Sequence, residues 1–225
     1  MKKIYTLLCF YILFCANVFS AVPVTDWLLL GPIQSTPDQM FSRPYLPEET
    51  ILPNLNESFG DMKWIKATAG NNGIVDLYSA LSAERSKRYL VAYACAYVYS
   101  EYDMPAQLLM GSDDGLQVWL NGLKVWQINV NRGTNAGEDV VNVMLSKGLN
   151  CLLLKINQDY EGWSFCCSVA SDYPVKGVIM NPMKIVSKPA TTTKVWIPEL
   201  SFRSTVSGST DAVSYTHLDV YKRQN

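Results

Sequence analysis

The chain has 225 residues, 48% of them hydrophobic and 12% aromatic, and its 19 basic against 20 acidic residues give a net charge of −1 at pH 7. This balance excludes the basic footprint of a nucleic-acid-binding protein, while the apolar content is enough for a substantial core in one domain, or in one domain and a linker. Met1-Lys2-Lys3 is followed by an almost wholly apolar run from Ile4 to Phe19 and by the small residues Ser20 and Ala21. A positive start, a short apolar stretch and a small-residue cleavage site predict a secretory signal peptide over residues 1–20. The stretch is shorter than the ~20 residues of a spanning helix, so the mature chain is expected to carry no transmembrane segment. A lipid anchor on Cys15 is disfavoured by the bulky Phe14 before it.

Beyond the leader, short apolar runs punctuated by Gly, Asn, Asp and Pro dominate, which is the pattern of an all-β chain. Asp26 to Leu30 reads as a strand that Gly31-Pro32 stops. Residues 34–60, rich in Pro, Ser, Glu and Asn, read as a long surface loop ahead of a strand at Met62 to Lys66, and Asn71-Asn72-Gly73 marks a turn. Between Tyr89 and Tyr99 the chain alternates strictly. Leu90, Ala92, Ala94, Ala96 and Val98 fall on one face, and Tyr89, Val91, Tyr93, Cys95, Tyr97 and Tyr99 on the other. Such a tyrosine face is either a ligand platform or, more commonly, cross-strand packing.

Gln107 to Met110 leads into the turn Gly111-Ser112-Asp113-Asp114-Gly115, then Leu116 to Leu120, Asn121-Gly122 and Leu123 to Val130. Asn-Gly between alternating runs predicts a two-residue hairpin, because both residues tolerate the positive φ of a type I′ turn. The implied register pairs Leu120 with Leu123, Trp119 with Lys124, Val118 with Val125 and Gln117 with Trp126. Leu116, Val118, Leu120, Leu123 and Val125 then face the core, and Gln117, Trp119, Lys124 and Trp126 face outward. Two flat rings flanked by Gln117 and Lys124 form a candidate sugar site: the rings would stack on a pyranose and the polar pair would reach its hydroxyls. Alternatively, Lys124 lies over Trp119 as a cation–π pair, or a loop buries the rings.

Glu138 to Leu145, Asn150 to Asn157 and Trp163 to Ala170 supply three more strands, with Trp163 as a core anchor. The eight to ten strands so counted predict a two-sheet antiparallel β-sandwich of the jelly-roll kind over residues 21–175. Residues 176–210, with Lys188-Pro189-Ala190-Thr191-Thr192-Thr193, read as a linker and the start of a second unit whose remainder is missing. Residues 211–225 continue no earlier pattern and read as a non-native tail. The sole histidine, His217, lies in that tail.

Taken in order, Trp27-Leu-Leu-Leu-Gly-Pro32, Ser112-Asp-Asp-Gly-Leu-Gln-Val-Trp-Leu-Asn-Gly122, Gly148-Leu-Asn-Cys-Leu-Leu-Leu-Lys-Ile156 and Gly162-Trp-Ser-Phe165 resemble the secreted bacterial galactose-binding-like and protective-antigen-like β-sandwich modules that accompany glycan-active enzymes. The likeness covers residues 24 to 171. It implies a sugar-binding or ligand-free accessory module and makes Asp113 and Asp114 candidates to hold calcium. Ca²⁺ takes six to eight hard oxygen ligands, of which this pair supplies a beginning, and the plainer reading is that the pair shapes the turn through side-chain to backbone hydrogen bonds.

Without a histidine outside the tail, Ser-His-Asp and Cys-His catalysis have no base and zinc sites built on imidazole are excluded. Adjacent aspartates on one tight turn do not provide two carboxyl groups across a bound sugar. The mature chain keeps Cys95, Cys151, Cys166 and Cys167, for which three disulfide pairings exist, or which remain small buried hydrophobes. The neighbours Cys166 and Cys167 face opposite sides of a strand and are not expected to bond to each other. The expectation is an exported bacterial protein, periplasmic, surface-bound or secreted. It would be non-catalytic and would bind glycan or glycoconjugate, or else serve as a structural N-terminal accessory to a larger hydrolase.

Overall fold

The computed structural model describes residues 20–178; residues 1–19 of the predicted leader, the linker beyond Val178, the tail and His217 lie outside them. In chain order the elements are β1 (Ser20–Pro23), β2 (Asp26–Gln34), β3 (Ser58–Phe59), β4 (Met62–Lys63), β5 (Ile65–Thr68), β6 (Ile74–Asp76), α1 (Leu77–Ala80), β7 (Leu90–Ser100), β8 (Met104–Asp113), β9 (Leu116–Leu120), β10 (Leu123–Ile128), β11 (Asp139–Leu145), β12 (Gly148–Gln158), β13 (Ser164–Ser171) and β14 (Lys176–Val178). One sheet runs β1-β13-β8-β11, with β6 also on β13. The other runs β10-β9-β12-β7-β2-β5, with β14 also on β7. All these pairings are antiparallel. The chain is therefore an all-β sandwich of two antiparallel sheets. No helix among the described residues is long and apolar enough to cross a membrane.

The interior follows from the period of two. Leu90, Ala92, Ala94, Ala96 and Val98 of β7 join Leu116, Val118 and Leu120 of β9 and Leu152, Leu154 and Ile156 of β12 in the layer between the sheets. The alanines leave room for large side chains opposite. Trp27 of β2 meets Phe165 of β13 edge-on across the sandwich, ring centroids 4.9 Å apart at 84°, and Trp163 packs on Tyr78 in the same way at 5.7 Å. Trp163 is buried as expected.

The second sheet is buried on its outer face as well. Leu28, Leu30, Val91, Tyr93, Cys95, Tyr97, Trp119, Cys151 and Leu153 form an apolar layer closed by Met40, Leu46 and Trp64. Residues 34–60, expected as a surface loop, form this cover together with Trp64. Polar groups on the sheet clamp it in place. The Tyr93 hydroxyl accepts from the Tyr45 amide at 3.1 Å and donates to Glu48 at 2.6 Å, and Tyr97 donates to the Pro53 carbonyl at 2.9 Å. Buried Lys155 donates from Nζ to the carbonyls of Phe41 and Arg43 at 2.8 and 2.7 Å. Burial pushes the Lys155 amine down to about 8, against the pull of Glu48. The tyrosine face of β7 is thus packing and not a ligand platform.

Two further expectations are corrected. Gly31-Pro32 does not end β2. The strand continues to Gln34 through a register shift between Leu30 and Ile33, as a bulge allows; Gly31 has φ +146°, which favours glycine, and a Cβ there would press on the Val91 carbonyl oxygen at 3.1 Å. Residues 176–178, read as linker, form β14 along β7.

The hairpin turn is also sealed by the cover. Gly122 has φ +80°, and a Cβ there would collide with the Glu49 carbonyl oxygen, whereas Gly73 at φ +77° has open space around it. Gly122→Ala is expected to cost ~2 kcal/mol or more and Gly73→Ala only the ~1 kcal/mol of left-handed strain. Urea unfolding of the two variants measures the difference, and equal losses would show that the cover does not press on the turn.

Candidate functional site

The predicted Asn121-Gly122 turn forms, with φ of 52° and 80°. Leu123 pairs with Leu120 and Lys124 with Trp119 as expected. A register shift between Lys124 and Trp126 then sets Trp126 opposite Val118 and Gln127 opposite Gln117, correcting the expected Val118–Val125 and Gln117–Trp126 pairs. One extra residue in one strand re-aims every side chain after it, so Val125 and Trp126 both lean on the sandwich interior. Leu123, expected inside, is 38% exposed.

The four candidate sugar-binding residues consequently share no outward face. Trp119 is 1% exposed within the layer beneath the cover, and Lys124 lies over its ring at 4.9 Å. Gln117 is buried and donates to Gln127 at 3.4 Å. A pyranose could stack on Trp119 only after the cover was displaced.

At one end of the sandwich the β8–β9 turn meets the β12–β13 turn. Asp114 is buried, and its carboxylate accepts the Arg132 amide at 3.1 Å and the Asp159 amide at 2.7 Å. The Ser112 hydroxyl donates to the Asp114 carbonyl at 2.7 Å. Arg132 donates to the Ser112 carbonyl and hydroxyl and forks onto buried Asp139. This closed network ties three loops together. Asp113 is different: no hydrogen bond reaches its carboxylate among the described residues. Burial first, then the charges of Asp114 and Glu161, push Asp113 up to about 6. Nearby, the buried Tyr78 hydroxyl and Gln158 Oε1 find no hydrogen-bond partner among the described residues.

These residues do not fit calcium. Asp114 is spent on backbone amides, leaving Asp113 as the one free carboxylate of the pair. No group of three or more potential acidic, thiol or imidazole ligands gathers among the described residues, against the six to eight oxygens Ca²⁺ requires. Asp114 shapes the turn through its bonds to the Arg132 and Asp159 amides, while the Asp113 carboxylate makes no such bond among the described residues.

The opposite end carries exposed aromatic surface. The β7–β8 connection passes from the second sheet to the first there, and the β13–β14 connection passes back. Each is built on the same three-residue pattern: Ser100-Glu101-Tyr102 and Ser171-Asp172-Tyr173. In both, the buried serine hydroxyl donates to the carbonyl of the tyrosine two residues on, at 2.6 and 2.7 Å. Tyr102 and Tyr173 are 53% and 55% exposed, with ring centroids 5.3 Å apart at 52°. Glu101, Asp103 and Asp172 are exposed beside them, and Asp103 fixes the neighbouring Lys147 amide at 2.7 Å. Sequence reading passed these tyrosines over, although the repeated Ser-acid-Tyr at two strand ends was a visible signal.

No protein-family model matches the chain, and no curated protein matches it. Among solved structures it is similar to the PA14 domain of the antifreeze protein MpAFP (14% identity, TM-score 0.33, 43% of this chain and 50% of that one). It is also similar to a PA14 sugar-binding domain from an RTX adhesin (15%, TM-score 0.29, 40% and 48%) and to a Faecalibacterium prausnitzii beta-glucuronidase (10%, TM-score 0.42, 68% and 31%). The match spans half or less of each of those chains. At these values the likeness is one of partial chain path.

Asp114→Ala strands two backbone amides and is expected to cost about 2–4 kcal/mol in urea unfolding. Asp113 behaves oppositely. Its native pKa of about 6 stands above the ordinary 3.8, so the folded state keeps a proton that the unfolded chain has lost, and this group makes stability fall as pH rises through that interval. Asp113→Asn is expected to flatten the fall; a variant with the wild-type pH–stability curve between those values would show that Asp113 does not carry it.

Proposed function

We propose that the protein is an exported, non-catalytic carbohydrate-binding module that takes glycan at the Tyr102–Tyr173 end of the sandwich. The observation that carries this reading is the pair of half-exposed tyrosine rings in mutual contact, each on a turn whose serine hydroxyl bonds the tyrosine's backbone carbonyl. Exposed aromatic rings on ordered turns bind with little loss of side-chain freedom, and their faces suit the apolar C–H face of a pyranose while the hydroxyls stay wet. Glu101 and Asp172 at the rim are acceptors for sugar hydroxyls. Ionised carboxylates accept hydrogen bonds about twice as strong as neutral partners do. The leader-like N-terminus supports export, and the absence of any histidine outside the last residues of the chain supports a binding role over acid–base catalysis.

A glycan array probed with the full chain, with calcium and with chelator, tests the reading. Wild type is expected to bind a subset of glycans regardless of chelator. Tyr102→Ala and Tyr173→Ala are each expected to weaken that binding about tenfold, the scale of one lost aromatic contact, while Lys124→Ala leaves it unchanged. Absence of binding by a folded chain would place the structural-accessory reading first.

A further inference from the structure

We propose that Cys95 and Cys151 are joined by a disulfide bond in the mature protein. They sit on the adjacent strands β7 and β12. The register sets Cys95 opposite Leu153 and Cys151 opposite Tyr97, so the two cysteines are diagonal neighbours on one face. Their side chains turn toward each other, with Sγ atoms 3.7 Å apart. Bond formation closes this gap to ~2.05 Å; diagonal neighbours lie ~7–8 Å apart, beyond the ~6.8 Å of ordinary disulfides, so β7 and β12 must draw together locally as the side chains turn. Among the described residues, Cys166 and Cys167 offer no competing geometry. Cys167 points into the sandwich interior, while Cys166, its neighbour on β13, faces the other way and lines a cleft of about 350 Å³ with Leu109 and Ser168.

The surroundings determine when the bond forms. Both thiols are buried beneath the cover that includes Met40, Leu46 and Trp64. Burial, with Cys151 adjacent, holds the Cys95 thiol well above the ordinary range, so the closed structure contains little thiolate to react. Oxidation therefore belongs to the folding chain, after β7 and β12 pair and before residues 34–60 close over them. The oxidant is a disulfide donor of the exported compartment, a small-molecule or protein disulfide. One cysteine thiolate attacks it, forming a mixed disulfide and releasing one donor thiolate. The second cysteine thiolate attacks the mixed disulfide at the chain's sulfur, forming the Cys95–Cys151 bond and releasing the other donor thiolate. The chain loses two protons and two electrons, and the donor gains them as two thiols. The bond spans 56 positions that include β8 through β11, so it ties the centre of one sheet across the whole excursion into the other.

The test is to fold the full chain with glutathione disulfide, alkylate it in denaturant without reduction and digest it with trypsin, which separates the two cysteines at Lys124, Arg132 and Lys147. Mass spectrometry is expected to find the Cys95 and Cys151 peptides linked, two hydrogens lighter than their sum, with Cys166 and Cys167 alkylated. Reduction is expected to lower Tm by about 10 °C for a loop of this length, and the Cys95→Ala/Cys151→Ala double variant is expected to melt at the same temperature with and without reductant. Alkylation of both Cys95 and Cys151, or a link from either to Cys166 or Cys167, overturns the proposal. The peptide map of wild type decides the matter even if the double variant does not fold.

Discussion

β7 is buried on both faces, and the rest of the sandwich accommodates that constraint. Its alanine face packs against the first sheet and its tyrosine face against the chain's own residues 34–60. A strand hydrogen-bonded to β12 along one edge and to β2 and β14 along the other, with every side chain but Tyr99 buried, must satisfy its buried polar groups through the protein itself. The phenols of Tyr93 and Tyr97 and the amine of Lys155 are satisfied by groups on the cover, so the same contacts that remove apolar surface from water also specify where the cover lies. A buried cation held by two carbonyls is costly to desolvate, and it is retained at a place where it fixes the path of an otherwise irregular segment.

The sandwich has two ends with different chemistry. At the aspartate end, Asp114, Arg132, Asp139 and Ser112 spend their hydrogen-bonding capacity on one another and on backbone amides. Three loops are locked there, and of the Asp113–Asp114 pair only the Asp113 carboxylate stays outside the network. At the tyrosine end, the serine–carbonyl bonds consume only buried groups and leave two rings and three carboxylates facing solvent. The proposed binding role rests on that contrast: at one end the Asp114–Arg132–Asp139 network is internally satisfied, and at the other two half-exposed rings stand on ordered turns.

The Trp119 hairpin shows how a binding surface and a packing surface share one sequence signature. Alternation with aromatics opposite polar residues is what a sugar platform would present, and it is also what a strand under a loop presents. Burial of a ring of this size yields more free energy than leaving it exposed, and here a cover long enough to reach it was present in the chain.

From the sequence alone, the all-β class, the boundaries of β9, the Asn121-Gly122 turn, the two faces of β7 and the opposed directions of Cys166 and Cys167 were all determined, because each depends on period-two alternation or on the φ preference of particular residues, which are local properties. The tertiary structure alone decided that residues 34–60 cover a sheet, that Gly31-Pro32 bends β2 without ending it, and that an extra residue at Val125 turns Trp126 inward. It also brought Cys95 to Cys151 and Tyr102 to Tyr173. Each of these depends on which distant segments meet, and period-two alternation has the same form whether a face meets water, a ligand or another part of the same chain.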